Sequence, residues 1–217
     1  QKTGAPVEQS FKTLVAQGKS KAYYVFVVPI AEEVDLKRAA KVANMILISL
    51  GFDKRTAELA RIAGYMHDIG NVVNRIDHAQ SSAVIAFNIL TRLGMEPREI
   101  AKIIAAIGNH DESTAFPVNP IAAALILADK TDVRRGRVRS QDPLTFDIHD
   151  RVNYAATESE VSVLPDKIIR LDLKIDTEIC SIMDYFEIFL TRMLMSRRAA
   201  DFLGCTFELV INDIKLI

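Results

Sequence analysis

Between about residue 35 and residue 135, apolar side chains recur at three- and four-residue intervals, and each such stretch ends in recognisable punctuation. The spacing predicts helices over Leu36 to Leu50, Arg55 to His67, Ala79 to Leu93 and Pro97 to Ile107, closed by or near Gly51, Gly70, Gly94 and Gly108 respectively. These glycines suit the left-handed turn that follows a helix. Asn119-Pro120 starts a fifth helix, a side-chain cap followed by a residue already fixed for the first turn, which runs through IAAALILADK. Its first half is apolar nearly all round, so burial on every side is expected. After about residue 155 the period shortens to two. Ile169, Leu171, Leu173 and Ile175 alternate with charged residues, and Phe207, Leu209 and Ile211 alternate with their neighbours, which are strand signals. The stretch Thr177 to Leu203 between them returns to helical spacing and ends at Gly204.

The pattern therefore predicts a mainly α protein, a helical bundle with a small C-terminal β-α-β appendage. The expected divisions are an N-terminal extension over 1–35, the helical domain over 36–140, a connecting segment over 141–157 and the α/β region over 158–217. Within the extension, a helix and a short strand are equally compatible with residues 1–30. The polar run RSQDPLTFD at 139–147 is the most linker-like segment. With 217 residues, 49% of them hydrophobic, the chain is long enough to bury a sizeable core. Its net charge of -1, from 27 basic and 28 acidic residues, gives no global field to recruit nucleic acid or an anionic membrane. The apolar runs at 23–31 and 121–128 are far short of the roughly 20 residues of a membrane span. Two cysteines, Cys180 and Cys205, are too few for a disulfide scaffold and lack metal-ligand spacing. A reducing cytoplasm is the simplest setting. The opening QKTGAPVEQSFK lacks the basic start and apolar block of a signal peptide, although a first residue of Gln rather than Met weakens that reading.

Chemistry concentrates around three of the four histidines. His67, His78 and His110 fall at or beside predicted helix ends, each next to a carboxylate: Asp68, Asp77 and Asp111. Imidazole and carboxylate together bind divalent metals, and helices that end at one place bring such ligands together. A solvated helix end also carries His-Asp readily, so the dipeptide alone says little. His149, in FDIHDRVNY, has no supporting cluster and reads as a local structural histidine. The Met and Phe stripe over 182–195 reads as core or dimer interface rather than a cofactor box. The strand edges of the tail suit self-association into a homo-oligomer.

The run ELARIAGYMHDIGNVVNRIDHAQSSAVIAFNIL at 58–90, followed by IGNHDE at 107–112 and LADKTD at 127–132, resembles the HD superfamily of all-helical metal-dependent phosphohydrolases and phosphodiesterases. His67 and Asp68 match the family's central pair, and Asp129 matches its last aspartate. His78 and His110 resemble the two histidines that binuclear members place on a second ion. The resemblance covers roughly 36–139 and implies a divalent transition metal (Fe, Mn, Zn or Ni) on His67, Asp68, His78, His110 and Asp129; with Arg38 where the family has its first histidine, one ion is expected rather than two. It also implies hydrolysis of a phosphomonoester or phosphodiester, on a nucleotide or another small phosphorylated molecule, by metal-activated water.

One position departs from the family. Its first histidine precedes a basic-Val-Ala step by three residues, and the equivalent stretch RAAKVAN at 38–44 places Arg38 there. Arginine stays protonated and cannot ligate a metal. Three outcomes follow: one ion on the remaining ligands, an ion-free pocket filled by Arg38 paired with Asp68 or Asp129, or a binuclear site rescued by Glu32, Glu33 or Asp35. The second makes a catalytically impaired binding or regulatory protein, the competing reading. Di-iron oxygenases with a similar ligand set form a third class, which the missing first ligand counts against. For substrate contacts, charge placement puts Lys130, with Asp68 a catalytic candidate, at the phosphate's edge. Arg38, Asn74, Arg75 and Arg134 complete the expected phosphate-binding set. Arg137 and Arg139 read as a solvated basic helix end.

Overall fold

A computed structural model describes residues 36–112, 115–138 and 147–217, together with the backbone of two strands near the start of the chain. Two compact units result, Gln1–Asp35 and Leu36–Ile217. In the first, strands β1 (Phe11–Gln17) and β2 (Tyr23–Pro29) pair antiparallel, with Leu14 opposite Phe26. The extension thus contains strands where helix and strand were equally compatible. Glu32, Glu33, Asp35 and Arg139 lie outside the described residues, as does most of the linker-like run.

The second unit begins with five helices: α1 (Leu36–Ser49), α2 (Lys54–Met66), α3 (His78–Arg92), α4 (Pro97–Gly108) and α5 (Pro120–Lys130). Each expected helix is present to within a few residues at its ends. Asp53 and Asn119 cap α2 and α5 by accepting from Thr56 N and Ala122 N. Gly51 and Gly94 have the positive φ expected after a helix, 83° and 73°. Gly70 and Gly108 do not: Gly108 is the last residue of α4, and Gly70 lies in a 3-10 turn, Ile69–Val72.

Two glycines are required by close approach. A Cβ on Gly64 would stand 2.8 Å from Ala40 Cα and 2.9 Å from Ala39 C, so α2 crosses α1 at a point where only hydrogen fits. On Gly70 it would stand 2.3 Å from His78 O and 2.5 Å from Ser82 N, against the first turn of α3. Gly70 N also donates to Ser82 Oγ at 2.7 Å.

Helix α5 is buried because it has a core on each side. Ile121, Ala122, Ala124, Leu125 and Ala128 face the core built with α1 to α4. Ala123, Ile126 and Leu127 face a second core built with the C-terminal elements. Those are α6 (Ile148–Ala155), β3 (Ala156–Leu164), β4 (Ile168–Ile175), α7 (Ile182–Phe202), β5 (Thr206–Ile211) and β6 (Ile214–Lys215). The sheet order is β3-β4-β5-β6, with β4 and β5 parallel across α7 and the outer pairs antiparallel. Ile169, Leu171, Leu173 and Ile175 are the buried positions of β4, as alternation predicts. From α7, Tyr185, Phe189 and Met193 join the same core. The appendage therefore contains more than β-α-β, since α6, β3 and the β5-β6 hairpin extend it. Among the described residues, no helix is long and apolar enough to cross a membrane.

Candidate metal centre

Helix α2 ends at Met66, so His67 and Asp68 stand at its C-terminus, where the chain tightens into the 3-10 turn. Asp77, in the left-handed region at φ 56°, turns the chain so that His78 opens α3. His110 follows α4, and Asp129 lies in the last turn of α5. Each of these elements delivers its donor to one place.

The three imidazoles are oriented alike. Nδ1 of His67, His78 and His110 donates to the carbonyl three residues earlier, Gly64 at 2.9 Å, Arg75 at 3.1 Å and Ile107 at 2.6 Å. A carbonyl only accepts, so Nδ1 carries the hydrogen and each Nε2 presents a lone pair or a second proton inward. His78 Nε2 is 3.2 Å from Asp68 Oδ1 and His110 Nε2 is 3.7 Å from it. His67 Nε2 is 3.5 Å from Asp68 Oδ2 and 3.7 Å from Asp129 Oδ1. The rings of His67 and His78 meet His110 edge-on, at centroid distances of 5.0 and 5.2 Å.

Two donor triads result, His67-His110-Asp129 and Asp68-His78-His110, with the ligand atoms of each within 4.8 Å of one another. His110 belongs to both. Ligands about 2.1 Å from one ion stand roughly 3.0 to 3.4 Å apart at adjacent positions, and the four separations here, 3.2, 3.5, 3.7 and 3.7 Å, begin in that range and run slightly beyond it. Most of the contacts are too long for good hydrogen bonds. The hydrogen-bonded Nδ1 atoms supply the outer support that metal-ligating histidines carry. The residues present therefore fit a divalent metal of the borderline kind that takes nitrogen and oxygen.

Charge in the cluster is strongly coupled. Burial opposes a proton on His67, but Asp68 and Asp129 outweigh it and raise its pKa from 6.5 to about 9. His78 is raised too, chiefly by its hydrogen bond to Asp68. Burial opposes ionisation of Asp68 and Asp129. The histidines outweigh it for Asp68, and Lys130 with His67 for Asp129, so both carboxyls lie well below the usual carboxylate range. In metal-free protein, His67 thus contributes stability that is complete below its ordinary 6.5 and is lost as pH rises through about 9. The two aspartates contribute above the ordinary 3.8 and lose that contribution as pH falls below it. The urea midpoint of chelated protein is expected to be highest between these limits and to decline toward pH 9. A midpoint that climbs over that range contradicts the assignment.

The expected substrate residues divide into groups. Lys130 is buried, with Nζ 2.6 Å from Asp129 Oδ2. Asn74 is exposed and its side chain accepts from Ile76 N at 3.0 Å, closing a local turn. Exposed Arg75 supplies its carbonyl to His78. Arg38 does not pair with Asp68 or Asp129 as the ion-free reading required. Its Nε is 3.4 Å from Asp132 Oδ1, and its Nη2 donates to Ser159 O. Arg134 also meets Asp132.

Arg137 corrects the expectation of a solvated helix end. It lies in a 3-10 turn, Arg135–Arg137, with Nη1 3.1 Å from Asp132 Oδ2. Burial opposes its charge, yet Asp129, Asp132 and Asp68 outweigh burial and raise its pKa above the ordinary arginine value. The same loop is fastened outside the centre, where Arg135 Nε donates to Tyr154 O at 2.7 Å and its guanidinium stacks 4.4 Å from the Tyr154 ring. Arg192 of α7 donates to Glu112 at 2.6 Å and so ties α7 to the chain two residues after His110. Local sequence carried no signal for either tether. His149 is exposed on α6.

Residues 36–142 match the family model described as HD domain. No curated protein matches the chain. The match supports the HD superfamily, whose domains bind divalent metals and which includes metal-dependent phosphohydrolases, and the two triads lie within the matched segment.

Proposed function

We propose that the protein is a phosphohydrolase that cleaves a phosphate ester on a nucleotide or another small phosphorylated molecule. The observation that carries this reading is the common inward orientation of three Nε2 atoms toward Asp68 and Asp129, fixed by three backbone carbonyls. His67, Asp68, His78, His110 and Asp129 would hold the metal, and Asp68 lies within 3.7 Å of all three imidazoles. A divalent ion there supplies a water of lowered pKa and polarises a phosphoryl oxygen. Lys130 keeps Asp129 ionised and oriented from its buried position. All three rings are buried.

The second reading is a regulatory protein that binds its ligand without turnover, and it rests on Arg38 standing where the resemblance puts the first histidine. Metal analysis of purified protein and a phosphatase and phosphodiesterase panel with added manganese separate the two. Stoichiometric metal, and turnover well above a His67→Ala control, are the expected results. Metal without turnover favours the regulatory reading, and a chain that binds no metal on titration rules out the hydrolase.

A further inference from the structure

Among the described residues, two buried side-chain oxygens have no hydrogen-bond partner, Asn71 Oδ1 and Asn153 Oδ1. Folded proteins rarely leave such an atom unpaired, because burial removes its water and gives nothing back. Asn153 is engaged through its other end, where Nδ2 donates to His149 O at 2.9 Å within α6. Asn71 lies instead in the 3-10 turn between the candidate ligands Asp68 and His78. Its N donates to Asp68 O at 3.0 Å, and side chains three residues apart in such a turn stand one above the other on the same side. That side is the centre's, since Asp68 presents Oδ1 to His78 and His110 and Oδ2 to His67. Burial agrees, because 72–77 are all exposed whereas Asn71 is partly buried and its oxygen fully covered. The backbone that carries it is anchored: Gly70 N donates to Ser82 Oγ, and Val73 N and Asn74 N both donate to Gly70 O, at 2.9 and 3.2 Å.

An amide oxygen only accepts, so its partner must bring an O–H or N–H. The oxygens of an ionised phosphate also only accept, which leaves water as the donor that every hydrolysis supplies. We infer that Asn71 is a positioning residue whose Oδ1 holds a water on the Asp68 side of the metal centre, and that this is the water consumed. The second half rests on the function proposed above; the first does not. In the overall reaction the water oxygen bonds to phosphorus, the ester P–O bond breaks, and a proton from the water ends on the leaving oxygen. Asn71 exchanges no proton in this scheme. It fixes the direction of one O–H, and with it the direction of the oxygen lone pairs.

The test compares the full chain with Asn71→Leu, which has a similar shape and no acceptor, and with Asn71→Asp, which keeps one. Substrates are 4-nitrophenyl phosphate and bis(4-nitrophenyl) phosphate, whose ionised forms carry no donor for Asn71. In manganese-loaded protein, Asn71→Leu is expected to lower kcat about tenfold or more with KM within about twofold, and Asn71→Asp to recover part of the loss. Manganese affinity of Asn71→Leu should stay within about threefold of the parent, while relaxation of water protons by the bound manganese falls. The urea midpoint of chelated Asn71→Leu should lie at or above the parent's, because an apolar group replaces an unpartnered acceptor. The inference is overturned if proton relaxation is unchanged, if the chelated midpoint falls below the parent's, so that the oxygen serves the fold, or if manganese affinity drops more than about tenfold, so that Asn71 is itself a ligand. A rise in KM at constant kcat overturns it too, since the contact is then to substrate. If the parent binds manganese but cleaves neither ester, the hydrolase reading fails while relaxation and midpoint still decide whether Asn71 holds a water. A parent that binds no manganese overturns both.

Discussion

Replacing His110 by alanine is expected to abolish stable metal binding. His110 Nε2 is the donor common to both triads, so its loss leaves each with two ligands. Two ligands hold a labile divalent ion poorly, and loss of even an outer-shell partner of a ligand costs about 10- to 100-fold in affinity. Losing the shared ligand should cost more than about 100-fold. His78→Ala is the comparison, because it spoils only the triad formed with Asp68 and leaves His67, His110 and Asp129 in place. Metal content after reconstitution with manganese should be close to nil for His110→Ala and partial for His78→Ala. Equal retention in both variants would show that the two triads do not share a ligand in solution. The substitution also opens a hole at a buried position, so urea unfolding must first show that the variant folds.

Gly70→Ala is expected to destabilise the fold by about 3 kcal/mol and to weaken metal binding at the same time. The added methyl would stand 2.3 Å from a backbone oxygen and 2.5 Å from a backbone nitrogen of α3, neither of which can rotate away as a flexible side chain does. The start of α3 must therefore move, and His78, its first residue, moves with it. Ser82 Oγ, which accepts from Gly70 N, is displaced by the same shift. Urea titration gives the stability change and metal titration gives the second effect. A variant with unchanged midpoint and unchanged metal content would mean that the contact between the 3-10 turn and α3 is looser than these distances.

Much of the helical half is legible because helices are specified by local rules. Apolar residues every three or four positions mark α1 to α5, and Asp53 and Asn119 mark two of their starts. The all-round apolar character of α5 correctly announced burial on every side, and the structure supplies the reason in its two cores. Strand β3 was harder to read. ATESEVSVL is largely polar and only its first residue is fully buried, so alternation was too weak to mark it. Helix α6 has eight residues, too few for periodicity to register. The β5-β6 hairpin did leave a signal in Asn212-Asp213, two residues that adopt φ 49° and 67° as a tight hairpin turn requires.

For the centre, the sequence by itself determined the donor types, their order and the helix ends that carry them, because a helix terminus fixes where a short side chain points. It also marked Gly70 as exceptional, but for a left-handed turn that the structure replaces with a close approach to α3. Only the tertiary structure decided which histidine serves both triads, since that depends on how the ends of α2, α3, α4 and α5 converge. It alone placed Arg38 on Asp132 and Ser159 rather than on Asp68 or Asp129. The physical reason is range. Caps, periodicity and backbone-held imidazoles arise within one or two turns of chain, whereas the contacts of Arg38 with Asp132 and Ser159 join α1, the segment after α5 and β3, which the chain brings together only on folding.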